Sequence, residues 1–275
     1  MDGPAASALT EEIAQEAFGL LGSGRQVAPF STRHPGFGLA EAYRVTARVR
    51  ALREAAGERP VGRKIGFTNR TIWDEYGVHA PIWGPVYDRT LFELETAGEG
   101  FPLTGFAEPR IEPEIVLGLG RAPEPDMDEA ALLACLDWVA HGFEIVQSAF
   151  PDWRFTPADT VAAFGLHGAL LVGPRRALDE ERGGWLASLA DFGIELSCDG
   201  SLADRGHAAN VLDGPLSALR HLVGLLADDP VNPPLAAGEL VTTGTLTRAF
   251  PVAPGQHWET RLSGVGLEGI AIRFA

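Results

Sequence analysis

The sequence predicts an α+β fold in which a helical N-terminal region leads into a larger β-rich domain. Residues 7 to about 57 carry apolar side chains at helical spacing, and Gly57 is placed to end the last helix. From Val61 onward, short apolar runs alternate with glycine and proline, a pattern typical of strands and turns. We therefore predict an N-terminal helical region over residues 1–60 and a β-rich domain over residues 61–275.

Two helices are expected in the N-terminal region. Thr10 is the candidate N-cap of the first helix, because acidic residues follow it in the first turn, where they complement the helix dipole. Gly22 stops that run. The second helix is expected from Leu39 to Ala56 and ends at Gly57.

The β-rich domain is expected to hold a few helices among its strands. Ile111–Leu119 is the clearest strand. A helix is expected from Asp128 to His141, with Gly142 as its end, and a strand is expected over Phe143–Val146. Further strands are expected at residues 167–172, 239–246, 257–262 and 267–274, and a further helix at 216–226.

Composition restricts the classes of function. The chain has 275 residues, a formal net charge of −15 and 45% hydrophobic residues. A nucleic-acid-binding protein needs a basic surface to meet phosphates, so this charge argues against one. There is no apolar run long enough for a membrane span and no recognisable signal peptide, and Cys135 and Cys198 are too few for a disulfide framework. We expect a cytoplasmic protein with no membrane or nucleic-acid partner.

Two glutamates on the clearest strand are the first candidates for chemistry. Side chains alternate faces along a strand, so Glu112 and Glu114 share one face while Ile111 and Ile115 lie on the other. Neighbouring carboxylates repel unless a positive group lies between them, and hard divalent cations take carboxylate oxygens. Pro113 cannot donate a ladder hydrogen bond, so we expect a sheet edge or a bulge here. Taken alone, the pair is more typical of a solvent-exposed strand face.

A third glutamate strengthens the case for a metal site. Glu144 lies inside the apolar run Phe143–Val146, where an unpaired carboxylate is unfavourable. Three carboxylates with waters suit Mg²⁺ or Mn²⁺ and do not suit Zn²⁺, which prefers histidine and cysteine.

A basic segment flanked by glycines lies where the helical region meets the β-rich domain. It spans residues 62–69, with Lys64 standing between Val61 and Ile65. Lys64 is a candidate to face a bound carboxylate or to transfer a proton, and the glycines permit a close approach of the backbone. The alternative is a solvated surface lysine.

Taken in order, these segments resemble the hydratase and decarboxylase branch of the fumarylacetoacetate hydrolase superfamily. That branch contains 2-keto-4-pentenoate hydratases and 4-oxalocrotonate decarboxylases. The matching segments are residues 62–69 (GRKIGFTN), 76–78, 108–115 (EPRIEPEI), 143–146, 152–153, 159–162, 214–219 and 238–244. The ExE pair alone is a weak signal, but the ordered set, which covers the chain from about residue 10 to its end, is specific.

The resemblance implies a fold, a cofactor and an assembly. The fold is a mixed β-roll core with the N-terminal helical region, and the β-rich domain is catalytic. Glu112, Glu114 and Glu144 are implied to bind Mg²⁺ or Mn²⁺. Members assemble as homo-oligomers, and some form complexes with a pathway neighbour. The residues expected around the substrate are Lys64, Gly66, Phe67, Leu166 and Thr243.

The sequence departs from this branch at two places. His79 follows Gly77-Val78 where the hydratases are expected to carry aspartate, so His79 joins Lys64 as a candidate catalytic residue. Residues 163–167 (AFGLH) replace polar residues, so we expect a more apolar pocket around Leu166.

The first hypothesis for function is a divalent-metal-dependent hydratase of a small 2-hydroxy-2,4-dienoate, which gives a 4-hydroxy-2-oxo acid. Within the enzymes, the alternatives are a decarboxylase of a 4-oxalocrotonate-like 2-oxo-enedioate and a hydrolase or tautomerase of a 2,4-dioxo acid. A non-enzyme alternative is a metabolite-binding or scaffolding pseudoenzyme. Retention of all three glutamates argues against the last hypothesis.

Overall fold

A computed structural model describes residues 7–70, 73, 77–97, 100–178 and 182–275. The described helices are α1 (Ala8–Leu20), α2 (Phe30–Arg33), α3 (Leu39–Ala55), α4 (Leu94–Ala97), α5 (Glu129–Leu133), α6 (Pro157–Ala162), α7 (Arg182–Ala190) and α8 (Pro215–Ala227). None of these helices combines the length and the apolar character that crossing a membrane requires.

The strands form two sheets. They are β1 (Pro60–Gly66), β2 (Ile82–Tyr87), β3 (Leu91–Glu93), β4 (Arg110–Leu119), β5 (Leu136–Val146), β6 (His167–Val172), β7 (Arg176–Ala177), β8 (Gly193–Cys198), β9 (Ser201–His207), β10 (Leu240–Thr242), β11 (Phe250–Pro251), β12 (His257–Ser263) and β13 (Ala271–Arg273). The larger sheet has the order β2-β1-β10-β4-β5-β6-β3, with β11 on β4 and β7 on β5; the smaller has the order β13-β12-β8-β9.

The larger sheet is mixed. The β1–β10 and β3–β6 pairs are parallel, and β4 pairs with β5 in antiparallel register along nearly its whole length. Residues of β4 and β5 belong to two separate buried apolar clusters, so both strands are buried rather than at the surface. The chain therefore has the predicted α+β fold.

The N-terminal helices pack against a later part of the chain. Ile13 of α1 and Val45 of α3 share a buried cluster with Val161 of α6 and Ile82 of β2. The hydroxyl of Thr46 donates to the backbone carbonyl of Val161 at 3.2 Å. These contacts cross the boundary that the sequence suggests near residue 60, and that boundary stays a prediction.

The predicted helix from Asp128 to His141 is wrong over most of its length. Asp128 is the N-cap, as expected, but the helix ends at Leu133 and the chain enters β5 at Leu136. A strand buried on both faces has a continuous apolar run, which periodicity alone does not distinguish from a buried helix. Gly142 does not end a helix but lies inside β5. A side chain is disfavoured there, because a Cβ would lie 2.9 Å from the carbonyl oxygen of Leu171.

Two smaller expectations also need correction. The N-cap of α1 is Ser7, whose side chain accepts from the amide of Thr10. Pro113 does not lie on an edge strand, since β4 has neighbours on both sides. It falls where β10 has already ended and β11 has not begun, and its carbonyl accepts from the amide of Leu246 at 2.9 Å. The missing N–H of proline is therefore tolerated in the interior of the sheet.

Candidate active site

Five neighbouring strands of the larger sheet each place a polar side chain at one site. In sheet order, β1, β10, β4, β5 and β6 supply Lys64, Thr242, the Glu112–Glu114 pair, Glu144 and His167. The register explains the convergence, because Lys64 pairs with Thr242 across β1–β10 and Glu112 pairs directly with Glu144 across β4–β5. Side chains opposite one another on one face of a sheet lie in contact range.

The three glutamates come together as one acidic cluster. One carboxylate oxygen from each of Glu112, Glu114 and Glu144 lies within 4.8 Å of the other two. Glu114 and Glu144 are fully buried, while Glu112 is partly exposed and lines a cavity. Three carboxylates this close are strongly unfavourable in a buried setting unless cations or protons offset their charge.

The two oxygens of Glu114 have different surroundings. Oε2 accepts from the hydroxyl of Thr242, and it accepts from the amide of Gly244 at 2.7 Å. Oε1 is buried and has no hydrogen-bond donor among the described residues. A buried acceptor without a partner is costly, so this oxygen is a candidate ligand atom for a cation.

Glu144 is held between two basic side chains. Its Oε1 lies 2.8 Å from Nδ1 of His167, and because a carboxylate can only accept, Nδ1 carries the hydrogen. Its Oε2 lies 3.0 Å from Nζ of Lys64, in an ion pair whose side chains are almost fully buried. Nε2 of His167 lies 2.9 Å from the hydroxyl of Thr90. The ring of His167 is therefore fixed at both nitrogens.

The electrostatics separate the three carboxyl groups. Burial raises the pKa of Glu112 to about 7. Burial also raises the pKa of Glu114 well above its usual value, and the charges of Glu144 and Glu112 act in the same direction. For Glu144, burial opposes ionisation, but Lys64 and His167 outweigh it and hold the pKa at about 2. Glu144 is therefore the ionised partner, while the ExE pair holds protons near neutral pH.

Lys64 stays cationic at the centre of this cluster. Burial by itself would lower the pKa of the Lys64 ammonium, but the surrounding carboxylates, Glu144 first, raise it above its usual value. Burial lowers the pKa of His167, so its ring is neutral with the hydrogen on Nδ1. Lys64 is thus the charged donor of the site.

The donor set fits a hard divalent cation. The clustered atoms are all carboxylate oxygens, and within the described part of the chain no donor reaches Oε1 of Glu114. The Gly244 amide donates to Oε2 of Glu114, and His167 donates to Oε1 of Glu144. Hydrogen bonds of this kind orient carboxylates that bind a metal through their other oxygen. The cluster contains no thiolate or imidazole ligand atom among the described residues, so it suits Mg²⁺ or Mn²⁺ better than Zn²⁺.

A cavity of about 410 Å³ lies beside the cluster. Lys64 and Glu112 line it, together with Gly66. Apolar and aromatic side chains form its walls: Phe67, Ile82, Val146, Trp153, Phe155 and Leu166. This volume is within the range of small-molecule sites, so the arrangement suits a short carboxylic acid with an unsaturated or apolar chain.

The cavity wall contains strained backbone. Phe67, Trp153 and Leu166 have positive φ values of 55°, 56° and 64°, which bulky residues rarely adopt. Gly165, between Phe164 and Leu166, packs directly on Lys64, because a Cβ on Gly165 would lie 2.9 Å from Cδ of that lysine. Such conformations persist where the surrounding structure holds them, and they concentrate at binding sites.

The structure places most of the expected substrate residues at the cavity, but not all of them. Lys64, Gly66, Phe67 and Leu166 line it. Thr243 does not, since its side chain is buried and its hydroxyl donates to the carbonyl of Ile115 at 3.1 Å. Its neighbour Thr242 faces the glutamates instead, as alternation along β10 requires.

His79, the second candidate catalytic residue, is exposed and is not among the residues that line the cavity. Its proposed proton transfer stays a prediction. The histidine that contacts the glutamates is His167, which is hydrogen-bonded to Glu144. In the sequence, the only indication of this role is that His167 directly follows the AFGL segment.

Sequence reasoning missed several cations and aromatic groups that line the cavity. Arg110, Trp153 and Arg248 line it, with Thr245 and Phe250 nearby. Arg110 could have been found, because alternation places it on the face of β4 that carries Glu112 and Glu114. The segment around Arg248 has no regular periodicity and gave no comparable signal.

Curated relatives match the chain over nearly its full length. A 2-hydroxyhexa-2,4-dienoate hydratase of Comamonas testosteroni is 31% identical over 257 residues, which cover 93% of this chain and 94% of that protein. A 2-keto-4-pentenoate hydratase of Paraburkholderia xenovorans is 32% identical over 264 residues, which cover 93% and 92%. A scan against models of known protein families gave no match.

Solved structures have the same fold. The 4-oxalocrotonate decarboxylase of Pseudomonas putida G7, complexed with magnesium and adipate, is 27% identical, with a TM-score of 0.84 over 98% of this chain and 96% of that one. A putative fumarylacetoacetate hydrolase family protein of Yersinia pestis shares the fold at 15% identity, with a TM-score of 0.58 over 78% and 94%. The chain therefore belongs to the family of the 2-hydroxydienoate and 2-keto-4-pentenoate hydratases, and it has the fold of fumarylacetoacetate hydrolase family proteins.

Proposed function

We propose that this chain is a metal-dependent lyase that hydrates a small 2-hydroxy-2,4-dienoate to a 4-hydroxy-2-oxo acid. The observation that carries the proposal is the cluster of Glu112, Glu114 and Glu144 beside a cavity that contains Lys64. The curated hydratases at 31% and 32% identity support the substrate class. Solved relatives complexed with magnesium and with manganese support an oxygen-ligated divalent ion, either Mg²⁺ or Mn²⁺.

The reaction needs a proton shift and then water. The enol proton at C2 is lost and C5 gains a proton, which gives an α,β-unsaturated 2-oxo acid; water then adds its hydroxyl at C4 and its proton at C3. A divalent ion held by the three glutamates would act as a Lewis acid toward the carboxylate and 2-oxo oxygens. No oxidant or reductant is consumed.

Lys64 is the residue we assign to the substrate's anionic end. Its ammonium is buried and cationic, and Lys64 lines the cavity. A fixed cation in a site with little water stabilises developing negative charge strongly. The aromatic and apolar walls exclude bulk water from the diene, and His167 orients Glu144. The expected homo-oligomer, pathway partner and cytoplasmic location stay predictions.

A second candidate is decarboxylation of a 4-oxalocrotonate-like 2-oxo-enedioate. It is favoured by the structural similarity to the decarboxylase at a TM-score of 0.84, and by a curated decarboxylase of Pseudomonas putida that is 29% identical over 243 residues. Both reactions develop an electron-rich dienolate, which the same electrophilic site would stabilise.

One assay separates the two candidates. The protein is stripped with a chelator, reloaded with Mg²⁺, and incubated with 2-hydroxypenta-2,4-dienoate while the diene absorbance is followed. We expect rapid loss of absorbance with Mg²⁺ and little without it. Absence of turnover, together with CO₂ release from 4-oxalocrotonate, would replace the hydratase with the decarboxylase.

A further inference from the structure

A buried ion pair joins β1 to the residue before β10, on the side of the sheet that faces away from the acidic cluster. Nη1 of Arg63 lies 2.9 Å from Oε1 of Glu239. Side chains alternate along β1, so Arg63 faces away from the site while its neighbour Lys64 faces into it. Neither Arg63 nor Glu239 lines the cavity, so the proposed reaction gives neither residue a role.

Glu239 connects β1 to β4 across β10. Its side chain reaches β1, and its second carboxylate oxygen accepts from the amide of Ala236 at 2.9 Å. Its backbone carbonyl accepts from the amide of Leu119, the last residue of β4, at 2.9 Å. One residue thus fixes the position of β1, which carries Lys64, relative to β4, which carries two of the three glutamates.

The ladder beside this ion pair is short. β1 and β10, both fully described, pair in parallel at three positions, and Lys64 with Thr242 is the last of them. A slip by one residue turns the side chains of a strand to the opposite face, so Lys64 or Thr242 would leave the site. Arg63 pairs with Val241, and Glu239 is its diagonal neighbour, which a long side chain can reach. The ion pair is therefore specific for the native register.

Stability alone does not account for burying this charge. Burial lowers the pKa of the Arg63 guanidinium, and the nearby charge of Glu239 offsets that effect only in part. Nε of Arg63 is also buried, and no acceptor among the described residues reaches it. Taking two charges out of water often costs more than their attraction returns, and the best-attested use of buried polar pairs is to specify one register.

We propose that the Arg63–Glu239 ion pair is a positioning device that sets the β1–β10 register and so brings Lys64 to the acidic cluster. In that register Nζ of Lys64 lies 3.0 Å from Oε2 of Glu144, and the hydroxyl of Thr242 donates to the cluster. The inference rests on the proposed function for its kinetic readout. It adds two positioning residues that act through Lys64 and touch neither the cavity nor the cluster.

The test replaces the whole ion pair with apolar side chains. Arg63→Met combined with Glu239→Leu leaves no charge without its partner, so we expect the free energy of unfolding to be kept or to rise. We expect kcat for 2-hydroxypenta-2,4-dienoate to fall by about 10- to 100-fold, because Lys64 is displaced. The affinity of the Mg²⁺-loaded protein for the unreactive 2-oxopentanoate should fall by about 10-fold, the value of a charged hydrogen bond. Hydrogen exchange over residues 60–66 should become faster.

A second buried ion pair, Arg53–Glu58, provides the matched control. Its side chains are 3% and 14% exposed, against 2% and 16% for Arg63–Glu239, but it joins α3 to the turn that follows this helix. Arg53→Met combined with Glu58→Leu should leave kcat and the affinity for 2-oxopentanoate unchanged. Unchanged values in the Arg63/Glu239 double variant, or equal losses in the two double variants, would overturn the inference.

Single variants decide the question if the Arg63/Glu239 double variant does not fold. Glu239→Gln and Glu58→Gln each remove one charge and keep the shape of the side chain. A greater loss of 2-oxopentanoate affinity in Glu239→Gln supports the inference, and an equal or smaller loss overturns it. If the unaltered protein hydrates no dienoate, the proposed function fails, while calorimetry and hydrogen exchange still decide the role of the ion pair.

Discussion

At the scale of single residues, the three glutamates differ in what holds their oxygens. Glu144 is neutralised by Lys64 and supported by His167, whereas Glu114 has one oxygen that no donor of the described residues reaches. One buried lysine does not compensate two buried carboxylates and a third that is partly buried beside them, so in the absence of metal the site relies on protons. The residue predictions follow from this imbalance.

Replacing Glu114 tests the ligand set directly. Glu114→Gln keeps the shape of the side chain and its contact with the Gly244 amide but removes the carboxyl group that must ionise to bind the metal. We expect the affinity for Mg²⁺ to fall by about 100-fold or more, and the melting temperature of the metal-free protein to change little near neutral pH, because Glu114 is already protonated there. Calorimetry and thermal melts with and without Mg²⁺ measure both. Glu259→Gln, on an exposed position of β12, is the control, and unchanged Mg²⁺ affinity in Glu114→Gln would refute the assignment.

His167 should act through Glu144. Its Nδ1–H holds the Glu144 oxygen that faces away from Lys64. His167→Leu should lower Mg²⁺ affinity by about 10- to 100-fold, as for other residues that orient a ligand, while His167→Asn should retain most of the affinity because its amide can donate at the same position. Equal affinities in the two variants would contradict an orienting role.

Metal binding should depend on pH through the ExE pair. The pKa of Glu112 is raised to about 7 by burial, so below pH 7 a proton occupies a group that the metal requires in ionised form. Mg²⁺ affinity should therefore rise as the pH increases from about 6 to about 8, with release of protons on binding. The folding stability of the metal-free protein should change with pH in the opposite direction. Because the pKa of Glu112 is higher in the folded state than in the unfolded state, the group stabilises the fold at low pH, and this contribution is lost as the pH rises through about 7. Calorimetry in buffers of different ionisation enthalpy measures the protons; an affinity that is flat with pH would exclude this linkage.

At the scale of elements, strand register rather than sequence proximity builds the site. Lys64, Glu114 and Thr242 are far apart in the chain, yet β1, β10 and β4 are adjacent. The turn that follows β10 is important for the acidic cluster, because its Gly244 amide donates to Glu114. Gly244 has a positive φ of 99° in this turn. A Cβ at Gly244 would lie 1.9 Å from the hydroxyl oxygen of Thr68.

Gly244→Ala should therefore disturb both the fold and the metal site. We expect a loss of about 1–3 kcal/mol in the free energy of unfolding and weaker Mg²⁺ binding, since the Glu114 hydrogen bond depends on this turn. Gly238→Ala is a matched control, because Gly238 also has positive φ, of 86°, but has open space around it. Chemical denaturation of both variants separates the backbone strain from the clash, and equal losses would show that the contact with Thr68 is unimportant.

The elements also show how far the sequence alone could lead. The ExE strand, the helix from Leu39 and the strand from His167 were predicted within a residue or two, because apolar periodicity or flanking glycines marked them. The first half of β5 was predicted as helix because both of its faces are buried. The grouping of the three glutamates was predicted, but Thr242 and Trp153 were not, since their positions depend on pairing between distant strands and on a left-handed turn.

At the scale of the whole molecule, a strongly acidic protein is expected to bind an acid. The net charge of −15 repels anions in general, so recognition depends on the few cations at the cavity, Lys64, Arg110 and Arg248, and on a bound metal. The relatives at 31% and 32% identity are named for dienoate and pentenoate substrates, which fits this reading of the cavity.

The most direct test of the account is the position of a bound Mn²⁺. Crystals of the protein soaked with Mn²⁺ and measured for anomalous scattering give the ion's location without any assumption about substrate. We expect one strong peak between the carboxylates of Glu112, Glu114 and Glu144, at oxygen distances of about 2.0–2.3 Å. A fully occupied Mn²⁺ elsewhere, with these three carboxylates unligated, would contradict the central claim.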